Sequence, residues 1–81
     1  MEKIGIIGSG TWGTAIAVLL KNNRHEVTLW SAIPAEIAEM AKTRTHKNLP
    51  GVTLPDGIIY TADLEAAMKD KNLLVMAVPS V

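Results

Sequence analysis

Three glycines at the start of the chain, Gly8, Gly10 and Gly13, carry the spacing G-x-G-x-x-G, with Ser9, Thr11 and Trp12 between them. That spacing suits the diphosphate of a dinucleotide. The first glycine permits a tight turn and the second has no Cβ to hold a phosphate away from the main chain. The third lets a following helix lie close to the preceding strand. The unpaired N–H groups and positive dipole end of such a helix would then face the anion. Other residue types that do chemistry are sparse. His25 falls at the entrance of an apolar run, opposite the end of a sheet where ligands gather, and reads as a turn residue. His46 has no partner at metal-ligand spacing and reads as solvated. Asp63 reads as a helix N-cap rather than a catalytic acid.

The elements around these residues support the glycine reading. Lys3–Ile7 is a short β-branched run expected to form a buried strand, and Thr14–Leu20 is expected to form a buried helix. Either Asn22 or Asn23 suits a left-handed cap behind it. Glu26–Trp30 alternates polar and apolar residues and reads as a second strand, parallel to the first because a helix separates them. Pro34 suits the first position of a second helix, in which Ile33, Ile37, Met40 and Ala41 share an apolar face and Glu36, Glu39 and Lys42 lie away from it. Thr43 to Gly57 is expected to be a long irregular loop. Ile58–Thr61 reads as a third strand and Leu64–Met68 as a helix. The run from Asn72 to Val78 has the composition of a central parallel strand covered on both faces.

Four strands with helices between them imply an α/β fold, the N-terminal half of a Rossmann-type doubly wound parallel sheet with strand order 3-2-1-4. The switch point then lies between the first and fourth strands, with the glycine turn on one side and Val78-Pro79-Ser80 on the other. The 81 residues read as one partial dinucleotide-binding domain with no internal boundary. Formal net charge is zero and 48% of residues are hydrophobic, so nothing indicates a nucleic-acid partner or a disordered tail. Cysteine is absent, which excludes disulfides and fits a cytoplasmic protein. No run approaches the ~20 apolar residues of a membrane span.

Four pieces of the sequence resemble the start of the bacterial NAD(P)-dependent glycerol-3-phosphate dehydrogenases. They are Ile4 through Ala15, His25 through Trp30, Asn48-Leu49-Pro50-Gly51-Val52-Thr53-Leu54-Pro55, and Ala77-Val78-Pro79-Ser80. The resemblance covers the whole chain. It implies hydride exchange between a nicotinamide cofactor and dihydroxyacetone phosphate or glycerol 3-phosphate, a small phosphorylated substrate. It also implies cofactor contacts at Thr11 and Trp12 and at the two positions after Trp30; with Gly8, Ser9, Gly10, Gly13, Ser31, Ala32, Ile33, Val78 and Pro79 these make up the candidate cofactor-binding set. Trp12 either touches the cofactor or packs on a neighbouring loop, and Trp30 walls an adenine pocket or caps the core.

The sequence departs from that family in two places. A basic residue usually follows the second strand, facing the 2′-phosphate of NADP; here Ala32 and Ile33 stand there. An acidic residue roughly 20 positions beyond the glycines would mark NAD, but Glu36 falls inside the next helix. The Ser31 hydroxyl suits either cofactor, so NAD and NADP remain alternatives. Arg24 stands where the family often has Gly. The catalytic lysines of the family belong to segments past Val81, so this chain by itself is expected to be inactive. A stand-alone, non-catalytic dinucleotide-binding or sensing module is the alternative; a flavoprotein is disfavoured by the missing acidic residue. The apolar run Leu73–Val78, left without a next strand, is expected to drive self-association.

Overall fold

The computed structural model describes residues 2–46 and 51–77. Among these residues seven elements alternate: β1 (Lys3–Ile7), α1 (Thr11–Asn22), β2 (Glu26–Trp30), α2 (Pro34–Thr43), β3 (Ile59–Thr61), α3 (Leu64–Met68) and β4 (Leu73–Met76). The strands form one sheet in the order β3-β2-β1-β4, and every neighbouring pair is parallel. Register places Ile7 beside Trp30 and Met76, and Trp30 beside Thr61. The carboxyl ends of all four strands therefore make one rim. The fold is the expected half of a doubly wound sheet.

Alternation along the strands decides which helix packs where. Ile4, Ile6, Val27 and Leu29 point to one face and close a core with Ala17 of α1 and with Ile37 and Met40 of α2. Leu54 and Ile58, from the segment leading into β3, complete that core. On the other face Gly5 allows α3 to approach the sheet: a Cβ on Gly5 would collide with the carbonyl oxygen of Ala67.

Several elements differ from the sequence reading. Helix α1 begins three residues earlier than expected, at Thr11, and Leu19 faces outward. Its end uses neither asparagine as a left-handed cap. Asn23 has φ −91°, and the left-handed residue is Arg24, at φ +67°. That conformation is one glycine adopts without steric cost, whereas arginine adopts it rarely. Only Ile37 and Met40 of the proposed α2 stripe are buried; Ile33 caps the helix from outside and Ala41 is exposed. The described residues after α2, 44–46 and 51–58, are irregular but pinned. Leu54 donates its N–H to the Arg44 carbonyl at 2.7 Å, and Arg44 pairs with Asp56.

The largest difference is β4. Its composition suggests cover on both faces, yet among the described residues it pairs only with β1. Leu73, Leu74 and Met76 remain exposed, Met76 at 65%. A run of apolar residues records the environment a strand is suited to, whereas its neighbours depend on what else is present to pair with it.

Candidate functional site

The glycine turn is set by contacts within the chain at two of its three positions. Gly8 has φ +122°, a region that side-chain-bearing residues rarely adopt. Gly13 sits in the first turn of α1, where a Cβ would collide with the Gly8 carbonyl oxygen. Gly10 is different. Its φ of −66° and ψ of −178° suit any residue, and a Cβ placed there would meet none of the described residues within 4 Å. Neither backbone strain nor packing requires glycine at position 10. A group arriving from outside, close against the main chain, would.

The start of α1 is arranged for such a group. Gly10 is the N-cap, no side chain caps the helix, and no acidic residue lies in its first turn. The first helical hydrogen bond runs from the Thr14 N–H to the Gly10 carbonyl at 2.9 Å. Helix geometry therefore leaves the N–H groups of Thr11, Trp12 and Gly13 without helical partners at the positive end of the dipole. Trp12, 71% exposed, does not pack as a core residue and stands beside these amides.

Main-chain bonds tie this turn to the rim. Gly8 donates to the Trp30 carbonyl at 3.0 Å, and Ala77 donates to the Ile7 carbonyl at 2.8 Å. Ala77 also lies against the start of α1, its Cβ 3.1 Å from where a Gly13 side chain would begin. The turn thus lies between the end of β2 and the end of β4. Val78 and Pro79, also expected at this site, lie outside the described residues.

On the β2 side, Ser31 is only 4% exposed and its Oγ accepts the Ile33 N–H at 3.1 Å. Its hydroxyl therefore shapes the entry into α2 and is less open than the sequence suggests. Ala32 and Ile33 are exposed at the end of the strand. Trp30 is half-buried and donates its indole N–H to the Ala62 carbonyl at 3.1 Å, which locks β2 to the segment after β3.

Two residues that the sequence reading set aside belong to the turn. Ser9 Oγ donates to Glu36 Oε1 at 2.9 Å, so Glu36 faces the glycine loop rather than open solvent. His46, expected to be solvated, is 6% exposed, and its Nε2 lies 2.9 Å from the Ser9 carbonyl. Because a carbonyl only accepts, Nε2 carries the proton in that bond. Thr14 Oγ1 donates to the same oxygen at 3.0 Å. Pro34 at the first turn of α2 and an acidic residue two positions later were legible as a helix start; the direction of Glu36 depended on where α2 packed. His25 lies at the opposite end of the sheet, where its Nδ1 accepts the Glu2 N–H at 3.1 Å. Asp63 caps α3, accepting from the N–H groups of Glu65 and Ala66. No cluster of three or more metal-ligating side chains occurs among the described residues.

A parallel sheet in this order, with a glycine turn feeding an uncapped helix at its carboxyl rim, defines a dinucleotide-binding domain. Over residues 3–81 the chain matches the family described as NAD-dependent glycerol-3-phosphate dehydrogenase N-terminus, and it belongs to that family. It is 52% identical over its full length to glycerol-3-phosphate dehydrogenase [NAD(P)+] 2 of Lactobacillus delbrueckii subsp. bulgaricus, covering 24% of that protein. It is 48% identical to glycerol-3-phosphate dehydrogenase [NAD(P)+] of Agathobacter rectalis, again covering 24% of the relative. A crystal structure of glycerol-3-phosphate dehydrogenase from Coxiella burnetii superposes with a TM-score of 0.88 at 31% identity, over 98% of this chain and 25% of that one. The chain thus spans about a quarter of the length of these relatives.

Proposed function

We propose that these residues form the part of an NAD(P)-dependent oxidoreductase that seats the cofactor for hydride exchange between dihydroxyacetone phosphate and sn-glycerol 3-phosphate. The observation carrying this reading is Gly10, whose lack of a side chain serves no contact among the described residues and opens the main-chain amides of α1. A nicotinamide dinucleotide supplies the hydride when bound. Gly8, Ser9, Gly10, Thr11, Trp12 and Gly13 hold its pyrophosphate on backbone N–H groups and exclude water from one side of it. Ser31, Ala32 and Ile33 flank the adenosine, and the proposed cofactor-binding set also includes Val78 and Pro79, which lie outside the described residues. NAD and NADP are both compatible with this set.

Among the described residues the rim offers no side chain suited to protonate the substrate oxygen. The family's catalytic lysines fall outside residues 1–81, so the 81-residue chain binds cofactor without catalysing the reaction, in a cytoplasmic enzyme. Calorimetric titration of the chain with NADH and NADPH tests the reading. Saturable binding of either supports it, and flat titrations with both would overturn it.

The exposed edge of β4 supports a second proposal, that the 81-residue chain self-associates along Leu73–Val78 by strand pairing. Light scattering should show a mass that rises with concentration; a monomer at all concentrations would refute it.

A further inference from the structure

The usual marks of cofactor choice are absent just after β2, yet the structure puts a charge beside the turn by another route. Glu36 lies in the first turn of α2, where the helix dipole favours a carboxylate, and it accepts the Ser9 hydroxyl at 2.9 Å. It is half-buried rather than free in solvent. Ser9 lies between Gly8 and Gly10, so this carboxylate borders the loop that would carry the pyrophosphate, on the side of β2 where an adenosine ribose falls.

The surroundings are acidic. A cavity of about 430 Å³ opens beside Glu36 and is also lined by Glu39 and His46. The His46 Nε2 proton is committed to the Ser9 carbonyl. Among the described residues no lysine or arginine lines that cavity, and none occurs in the stretch Ser31–Ala41. A ribose 2′-hydroxyl can donate to a carboxylate oxygen. A 2′-phosphate brings its negative charge up against the Glu36 and Glu39 carboxylates instead.

We propose that Glu36, held at the glycine turn by Ser9, selects a dinucleotide whose adenosine ribose has a free 2′-hydroxyl, so that the chain prefers NAD(H) to NADP(H). The inference rests on the dinucleotide reading above and adds a specificity-determining residue to it. The carboxylate does from the first turn of α2 what an acidic residue at the end of β2 does in other doubly wound folds.

Parallel calorimetric titrations of the chain and of Glu36→Gln with NADH and NADPH test it. Glutamine keeps an oxygen for the Ser9 hydroxyl and removes the charge. The chain should bind NADH more tightly than NADPH by about tenfold, and Glu36→Gln should shrink that ratio severalfold, mainly by tightening NADPH. The ratio should also fall as salt is raised. NADPH binding as tightly as NADH would overturn the inference while leaving the dinucleotide reading intact. Equal weakening of both cofactors by Glu36→Gln would overturn it too, since that is what a merely structural role predicts. Binding of neither cofactor by the unaltered chain would overturn the dinucleotide reading itself.

Discussion

Helices α1 and α3 both start at the carboxyl rim of the same parallel sheet, and they solve the same problem in opposite ways. Asp63 satisfies two N–H groups at the start of α3 with its own carboxylate, and Glu65 sits in the first turn. The longer α1 has glycine at its cap, no capping side chain and no acid in its first turn. A helix whose first amides are satisfied internally is finished as structure. One whose amides are left open, behind a glycine that neither packing nor backbone strain requires, is built to meet an anion.

Giving α1 the cap that α3 already has should break the comparison most sharply. Gly10→Asp should leave the melting temperature unchanged or raise it slightly, because aspartate caps helices at least as well as glycine. The same change should weaken dinucleotide binding by at least about 100-fold, measured by calorimetry, since a carboxylate would stand where the pyrophosphate sits. Loss of the fold instead would show that Gly10 is structural after all.

Gly13→Ala tests the other kind of glycine. Its Cβ would run into the Gly8 carbonyl, which is backbone and cannot swing aside. A cost of about 1–3 kcal/mol is expected, or roughly 5–20 °C in melting temperature for a domain of this size, outweighing the gain in helix propensity. Thermal unfolding followed by circular dichroism checks it.

At α3 the prediction reverses. Asp63→Ala should cost about 1 kcal/mol of stability while leaving cofactor affinity within twofold of the original. A large loss of affinity would mean that the two helix starts are less separate than their capping implies.

The smallest effect belongs to Tyr60, on the strand leading toward α3. Its hydroxyl is buried and has no hydrogen-bond partner among the described residues. Burial pushes its pKa above the ordinary tyrosine value, against the opposing pull of Arg44. The folded state therefore holds the phenol proton more tightly than the unfolded chain does. Stability from this group is complete below about pH 10 and falls as pH rises through the folded-state pKa. Tyr60→Phe should be neutral or stabilise by up to about 1 kcal/mol and should flatten the alkaline decline, seen in chemical denaturation above pH 9.

Much of this organisation was legible in the residues. The G-x-G-x-x-G spacing, the β-branched runs on either side of the first helix, Pro34 as a helix start and Asp63 as a cap are local signals, and each sits where local chemistry directs it. Arg24 was less legible. The positive φ moved one residue beyond the two asparagines that could have taken it, because the end of α1 depends on how the chain enters β2. The roles of His46 and Glu36 are hidden from the sequence for a related reason. Both are polar residues in unremarkable local contexts, and both acquire a role only by meeting Ser9 across the fold.

The sequence by itself determined the alternation of strands and helices and the turn where they first meet, because these follow from period, glycine spacing and capping chemistry within a few residues. Tertiary structure alone decided which of the three glycines answers to the chain's own packing. It also decided that an acid 27 positions from Ser9 and a histidine 37 positions from it reach the same residue. Contacts between distant segments depend on how sheet and helices pack, and no short window of sequence contains that information.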